Sequence, residues 1–174
     1  RRQRQMCIRD RAGHRKIGMI AGPEHVFTAR ERYLGYEEAF KKAGIEVQDS
    51  LVVHGDYTIA GGARAMKELA KQNPQMTAVF VSNYEMTVGA MIESNEIGIR
   101  IPEDLSVIGF DNIEFAKASN PKLSIVTQPT KEIGRNVAEL ILDRLDNPTR
   151  EMPPKEMKLK TSFVEGKSVH ILSV

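Results

Sequence analysis

Five short apolar runs alternate with helical stretches along this chain, and that alternation leaves few folds open. Residues 16–21 (KIGMIA), 51–54 (LVVH), 77–82 (TAVFVS), 105–110 (LSVIGF) and 123–128 (LSIVTQ) are four to six residues long. They are nearly continuous in apolar or β-branched residues, as strands of a parallel sheet covered on both faces must be. Between them the period changes to that of a helix. Residues 28–43 place Ala29, Tyr33, Tyr36, Phe40 and Ala43 on one face, with Thr28 as the expected N-cap and Gly44 as the stop. Residues 61–72 do the same with Ala63, Met66, Leu69 and Ala70, and Gly61-Gly62 reads as a helix start. Residues 84–97 end at Gly98, residues 113–118 suffice for a turn or two, and residues 131–145 carry Ile133, Val137, Leu140, Ile141 and Leu145 until Asn147-Pro148 stops them. Residues 155–163 set Met157, Leu159 and Thr161 against lysines and Glu156, the pattern of a half-exposed strand. The order predicts an α/β fold with a doubly wound parallel sheet.

Length and charge narrow the classes. A chain of 174 residues makes one domain, or one and a part. No run approaches the ~18 apolar residues of a membrane span. The single Cys7 excludes an internal disulfide and a cysteine-built zinc site, which points to a reducing cytoplasm. The net charge of +2 is unevenly spread: residues 1–16 hold seven basic groups and one acid, leaving 18 basic against 22 acidic elsewhere. That basic run reads either as a nucleic-acid contact or as a disordered or non-native leader; the mildly acidic remainder is a poor grip for phosphate backbones.

In doubly wound sheets, ligands sit beyond the carboxyl ends of the strands. Those ends carry Arg30, Asp56, Tyr57, Asn83, Asp111 and Gln128. Hydrogen-bonding groups with one aromatic and no obvious nucleophile suit a hydroxyl-rich small molecule such as a sugar: Arg forks onto vicinal hydroxyls, carboxylate and amide groups take others, and a Tyr ring lies against the sugar face. The competing reading is that Asp and Asn at these places are turn formers or helix caps. Catalytic signatures are missing from the sequence. His14, His25, His54 and His170 lack metal-site spacing, Ser82 and Ser106 lack the GxSxG elbow, and neither GxGxxG nor GxxxxGK[ST] occurs. A phosphoreceiver needs an acidic pair after the first strand, where this chain has Ala21-Gly22-Pro23. No enzyme, cofactor or metal is expected.

Residues 13–17 (GHRKI), 28–36 (TARERYLGY), 55–57 (GDY), Asn83-Tyr84-Glu85-Met86 running to Gly89-Ala90, 101–112 (IPEDLSVIGFDN) and 127–129 (TQP) form an ordered set of motifs. Together they resemble the lactose-repressor/galactose-repressor (LacI/GalR) family. The resemblance implies a type I periplasmic-binding-protein-like effector domain of two lobes, here mainly the second lobe. Its expected parts are a basic leader (1–12), the second lobe (13–128), a crossover and helix returning toward the first lobe (129–155), and a C-terminal strand and tail (156–174). The helix-turn-helix head and most of the first lobe are expected to be missing from this piece. By position, Arg30 resembles the family's effector-clamping arginine and Tyr57 its flanking aromatic. Asn83 and Asp111 match polar effector contacts, and Gln128 lies at the crossover near the hinge. Tyr84 departs from the family's usual Asn-Asp pair. The resemblance also implies a homodimer surface, with Val88, Met91, Ala116 and Ser119 as contributors. The implied whole is a cytoplasmic, allosteric, sugar-responsive transcriptional repressor or activator that binds operator DNA; a periplasmic-type sugar-binding protein of a transport system is the alternative.

Overall fold

A computed structural model of the chain describes residues 12–147, 153 and 156–172. The expected leader up to residue 11, Pro148 and Lys155 lie outside the described residues. Five strands run parallel: β1 (Ile17–Ala21), β2 (Val52–His54), β3 (Ala78–Val81), β4 (Ser106–Phe110) and β5 (Ser124–Thr127). A sixth, β6 (Ser162–Val164), pairs antiparallel with β5. The sheet order is β2-β1-β3-β4-β5-β6. The chain therefore steps outward from β1 to β2 and crosses back to β3, which puts the topological switch between β1 and β3. The helices are α1 (Phe27–Lys42), α2 (Ile59–Gln72), α3 (Tyr84–Glu96), α4 (Ile113–Ala118) and α5 (Thr130–Asp146). None of the helices, among the described residues, is long and apolar enough to cross a membrane.

Alternate residues of each strand feed two separate cores. Ile20, Val79, Val81, Val107 and Ile125 point toward α2, α3 and α4, where Met66, Leu69 and Met86 are completely buried. Each such side chain is worth roughly 1.5–3 kcal/mol of burial. Met19, Ala21 and Phe80 face the other way and meet α1 through Tyr36 and Phe40, with Ile45, Val47 and Val52 packed beside them. The Tyr36 hydroxyl donates to the Ile17 carbonyl at 2.7 Å, and burial keeps the phenol neutral by pushing its pKa up. Glycines let α2 and α3 touch backbone to backbone: a methyl group at Gly62 would overlap the Met86 main chain, and one at Gly89 the Ile59 carbonyl.

Three element ends differ from the pattern reading. Helix α1 begins at Phe27 with Val26 as N-cap and no side-chain cap, so Thr28 lies inside the first turn. The reason is a backbone turn: the Val26 N–H donates to the Pro23 carbonyl at 3.0 Å, and the Val26 carbonyl accepts from Ala29 and Arg30. Helix α2 starts at Ile59, two residues before Gly61, because the Thr58 hydroxyl accepts the Gly61 N–H at 2.9 Å. The C-terminal strand is Ser162–Val164 rather than residues 155–163; residues 156–161 are not in a strand. Ser162 already faces Thr127, so earlier residues would have to pair beyond β5, where the chain turns through Pro129 into α5.

The most specific motif segment serves the fold first. The Arg100 backbone N–H donates to Asp104 at 2.9 Å, and its guanidinium forks onto the same carboxylate at 2.8 and 2.7 Å. These bonds hold the Asp104 carboxyl down at about 2 and fix the turn that enters β4. At the same amino-terminal edge of the sheet, His14 is 3% exposed. Its ring nitrogens meet the Thr77 hydroxyl (2.9 Å), the His170 carbonyl (2.9 Å) and the Ser106 hydroxyl (3.0 Å). Nearby the Leu172 N–H donates to the Ala12 carbonyl at 2.9 Å, so the start of β1 and the C-terminal tail are tied together.

Burial lowers the His14 pKa from 6.5, so the folded state holds the ring neutral more strongly than the unfolded state does. Its contribution is complete above pH 6.5 and is lost as pH falls through the lower folded value. Urea midpoints measured across this range should fall on the acid side, and His14→Gln should flatten that limb. Gly89→Ala should cost about 1–3 kcal/mol or more in the same assay, because the new methyl group meets backbone that cannot yield.

Candidate functional site

The carboxyl ends of β1 to β5 open on one edge of the sheet, and strain collects there. Tyr57, Asp111 and Asn112 have φ of 63°, 59° and 54°, the left-handed region that non-glycine residues seldom adopt. Asp111 and Asn112 come straight after β4 and Tyr57 stands three residues past the end of β2, the kind of position where proteins hold strained backbone for function.

Hydrogen bonds and one cation–π contact tie the ends of β3, β4 and β5 into one rim. The Asp111 carboxylate, just past β4, accepts from the Gln128 backbone N–H at 3.1 Å and from its side-chain amide at 2.6 Å. Gln128 closes β5 and precedes Pro129, where α5 departs. Arg32 on α1 donates to the Ser82 carbonyl at the end of β3 (2.7 Å) and lies 4.0 Å over the Phe110 ring at the end of β4. A planar cation spread on an aromatic face in this way keeps further donors for a ligand.

Arg30 does not join this rim. It is exposed, and two positions along a helix turn it about 200° away from Arg32. Arg32, four residues before the buried Tyr36, is the arginine that faces the sheet. Spacing from the buried Tyr36 and Phe40 is the signal that distinguishes the two.

Asn83 performs the capping role. Its side-chain oxygen accepts the Met86 N–H at 3.0 Å, its amide donates to Glu85 at 2.7 Å, and its carbonyl takes the Thr87 hydroxyl at 2.6 Å. Asp56 is likewise a local turn former, bonded to the Thr58 N–H (3.0 Å) and hydroxyl (2.6 Å) and to Arg64 (2.8 Å). The Thr58 bonds, more than the guanidinium, hold its carboxyl below the usual range. Tyr57 folds its ring over Gly22, where any side chain would collide with it; its buried hydroxyl has no hydrogen-bond partner among the described residues. Tyr84 meets Phe115 edge-on at 5.5 Å and so joins α3 to α4.

Of the positions expected at a dimer surface, Ala116 is 3% exposed and belongs to the core, so it is not surface. The Ser119 hydroxyl donates to the Ala116 carbonyl at 2.9 Å and accepts the Leu123 N–H at 3.2 Å. Val88 and Met91 on α3 are partly exposed. Among the described residues there is no group of three or more His, Cys, Asp or Glu that could hold a metal ion.

Asn83→Ala should remove a helix cap and cost about 1 kcal/mol in chemical unfolding, whereas Asn83→Ser should restore most of that loss. Equal losses for both would contradict the capping role.

Comparison with known proteins agrees with this architecture. The periplasmic binding protein-like domain family matches residues 10–169. The HTH-type transcriptional regulator CelR of Thermobifida fusca is 38% identical over 156 residues, 90% of this chain and 45% of the relative. The HTH-type transcriptional repressor CytR of Escherichia coli (strain K12) is 40% identical over 133 residues, 76% of this chain and 39% of the relative. The solved structure of a CelR–cellobiose complex superposes with a TM-score of 0.87 at 36% identity, covering 94% of this chain and 49% of that one. The chain thus spans about half the length of the proteins it matches.

Proposed function

This chain belongs to the periplasmic binding protein-like domain family, and from that membership and the strand-end rim we propose that it is the second-lobe, effector-binding half of a LacI/GalR-type transcriptional regulator. The observation that carries the reading is the rim itself. Arg32 joins the ends of β3 and β4, Asp111 joins those of β4 and β5, and strained backbone presents both Asp111 and Tyr57. Such a rim binds and orients a hydroxyl-rich molecule, and no group of three or more metal-ligating side chains stands beside it among the described residues. A sugar is the effector class. The regulator reading is favoured over a transport protein by relatives whose names are those of DNA-binding regulators. On this reading the whole protein works in the cytoplasm, binds its operator through a helix-turn-helix domain, and catalyses nothing.

The roles follow the geometry. Arg32, rather than Arg30, clamps vicinal hydroxyls; its guanidinium is held flat by Phe110 and anchored on Ser82. Asp111 accepts a hydroxyl, and Gln128 relays the change to the crossover before α5. Tyr57 flanks the ligand, and Asn83 contributes while it caps α3. Residues 13–128 form this lobe, and residues 129–155 return toward the first. Closure of the two lobes shifts the population between operator-binding and released states by the ligand's differential affinity. Val88 and Met91 lie on the dimer surface.

One lobe covers one side of a ligand, so the chain alone should bind weakly, with Kd of about 1 mM or higher. Titrating cellobiose or ribose into labelled protein should shift the amides of Asn83, Asp111 and Gln128 together, and Arg32→Ala should abolish those shifts while Arg30→Ala leaves them. Submicromolar binding, or shifts confined to another face, would sink the proposal.

A further inference from the structure

Tyr57, which flanks the ligand on the proposed reading, has no polar anchor for its ring. Its hydroxyl is buried and makes no hydrogen bond among the described residues. Its backbone, at φ 63°, is set by the turn in which Asp56 takes the Thr58 N–H and hydroxyl. Those bonds fix where the side chain starts, but two rotatable bonds separate that point from the phenol. The ring comes to rest against Gly22, where a methyl group would overlap its Cε1, Cζ and Oη atoms. So close a contact holds the ring only while the Gly22 backbone stays in place.

Main-chain bonds secure the residues on either side of Gly22. The Ala21 carbonyl accepts the Gly55 N–H at 2.8 Å, and the Pro23 carbonyl accepts the Val26 N–H at 3.0 Å. The Gly22 carbonyl itself meets a side chain, Nδ1 of His54, at 2.9 Å. A carbonyl only accepts, so Nδ1 is the nitrogen that carries the proton. His54 ends β2, the edge strand of the sheet, opposite Ala21. Its ring is steadied from two more sides. Tyr33 of α1 lies 6.3 Å away between centroids, tilted by 48°, and Nε2 stands 3.4 Å from the Glu24 carboxylate. One imidazole therefore joins the end of β2, the turn after β1 and the helix that carries Arg32.

We infer that His54 is a positioning residue of the effector site: by holding the Gly22 carbonyl it keeps the seat on which the Tyr57 ring is aligned before a ligand arrives. Its use rests on the effector reading; the seating itself is a property of the free chain. A ring immobilised in advance spares binding the cost of ordering it, a factor of roughly three to ten in affinity. The donor matters more than the bulk. Asparagine carries an amide N–H donor on Cγ, where histidine carries Nδ1. Glutamine places the same group one bond further out, and leucine has none.

Nuclear Overhauser contacts between the Tyr57 ring and the Gly22 α-protons read the seating in the free 174-residue chain. They should be present in the unaltered chain, persist in His54→Asn, and disappear in both His54→Leu and His54→Gln. The His54 side chain is 38% exposed, so all three variants should still unfold cooperatively in urea. Titrated with cellobiose or ribose, His54→Leu should bind roughly threefold to tenfold more weakly, and His54→Asn nearly as well as the unaltered chain. In a Tyr57→Ala background, which has no ring to seat, His54→Leu should cause no further loss. Overhauser contacts that survive in His54→Leu and His54→Gln overturn the inference, as do losses that add in the double variant. If neither sugar binds, the effector reading falls, while the Overhauser contacts still support or overturn His54 as the holder of the Tyr57 seat.

Discussion

A parallel sheet leaves two apolar surfaces, because its strands are joined by helices that pass over one side or the other and its side chains alternate between them. In this chain that requirement orders almost everything else. The face served by α2, α3 and α4 is dense enough that two glycines, Gly62 and Gly89, are needed to let helices meet. The opposite face has α1 alone over β1 and β3, and leaves Phe80, Ile108 and Phe163 in an open groove among the described residues. The imbalance follows from connectivity: the step from β1 to β2 goes one way around the sheet, and the returns to β3 and β4 go the other.

The same connectivity makes the site. Strands that run in one direction end together, so turns distant in sequence share an edge. Several groups there serve two purposes. Asn83 caps α3, Asp111 holds the crossover residue Gln128, and Arg32 braces both Ser82 and Phe110. On the proposed effector reading, a ligand at this rim competes with bonds that set the geometry of the lobe, and binding is coupled to shape through those shared groups.

The strands and the sheet class were legible because β-branched runs of four to six residues bounded by turn formers have few alternatives. The loop chemistry was less so. Backbone bonding around Pro23 starts α1 at Phe27, something side-chain capping rules do not see. Register shortens the last strand, because Ser162 is already opposite Thr127. The choice between Arg30 and Arg32 turns on helical angle rather than residue type, and it follows only once Tyr36 and Phe40 are known to be the buried pair. At the strand ends Asp56 and Asn83 make local bonds to the start of the following helix, while Asp111 bonds across to another strand.

The bond from Leu172 to Ala12 brings the two ends of the described lobe within one hydrogen bond of each other, and the excursion through α5 also leaves and rejoins the sheet at neighbouring positions, Thr127 and Ser162. Topologically the body is a loop tied at its base with a second loop tied at its rim. Such a body can be spliced into another polypeptide, or have its termini joined and reopened elsewhere, with little rearrangement of the sheet.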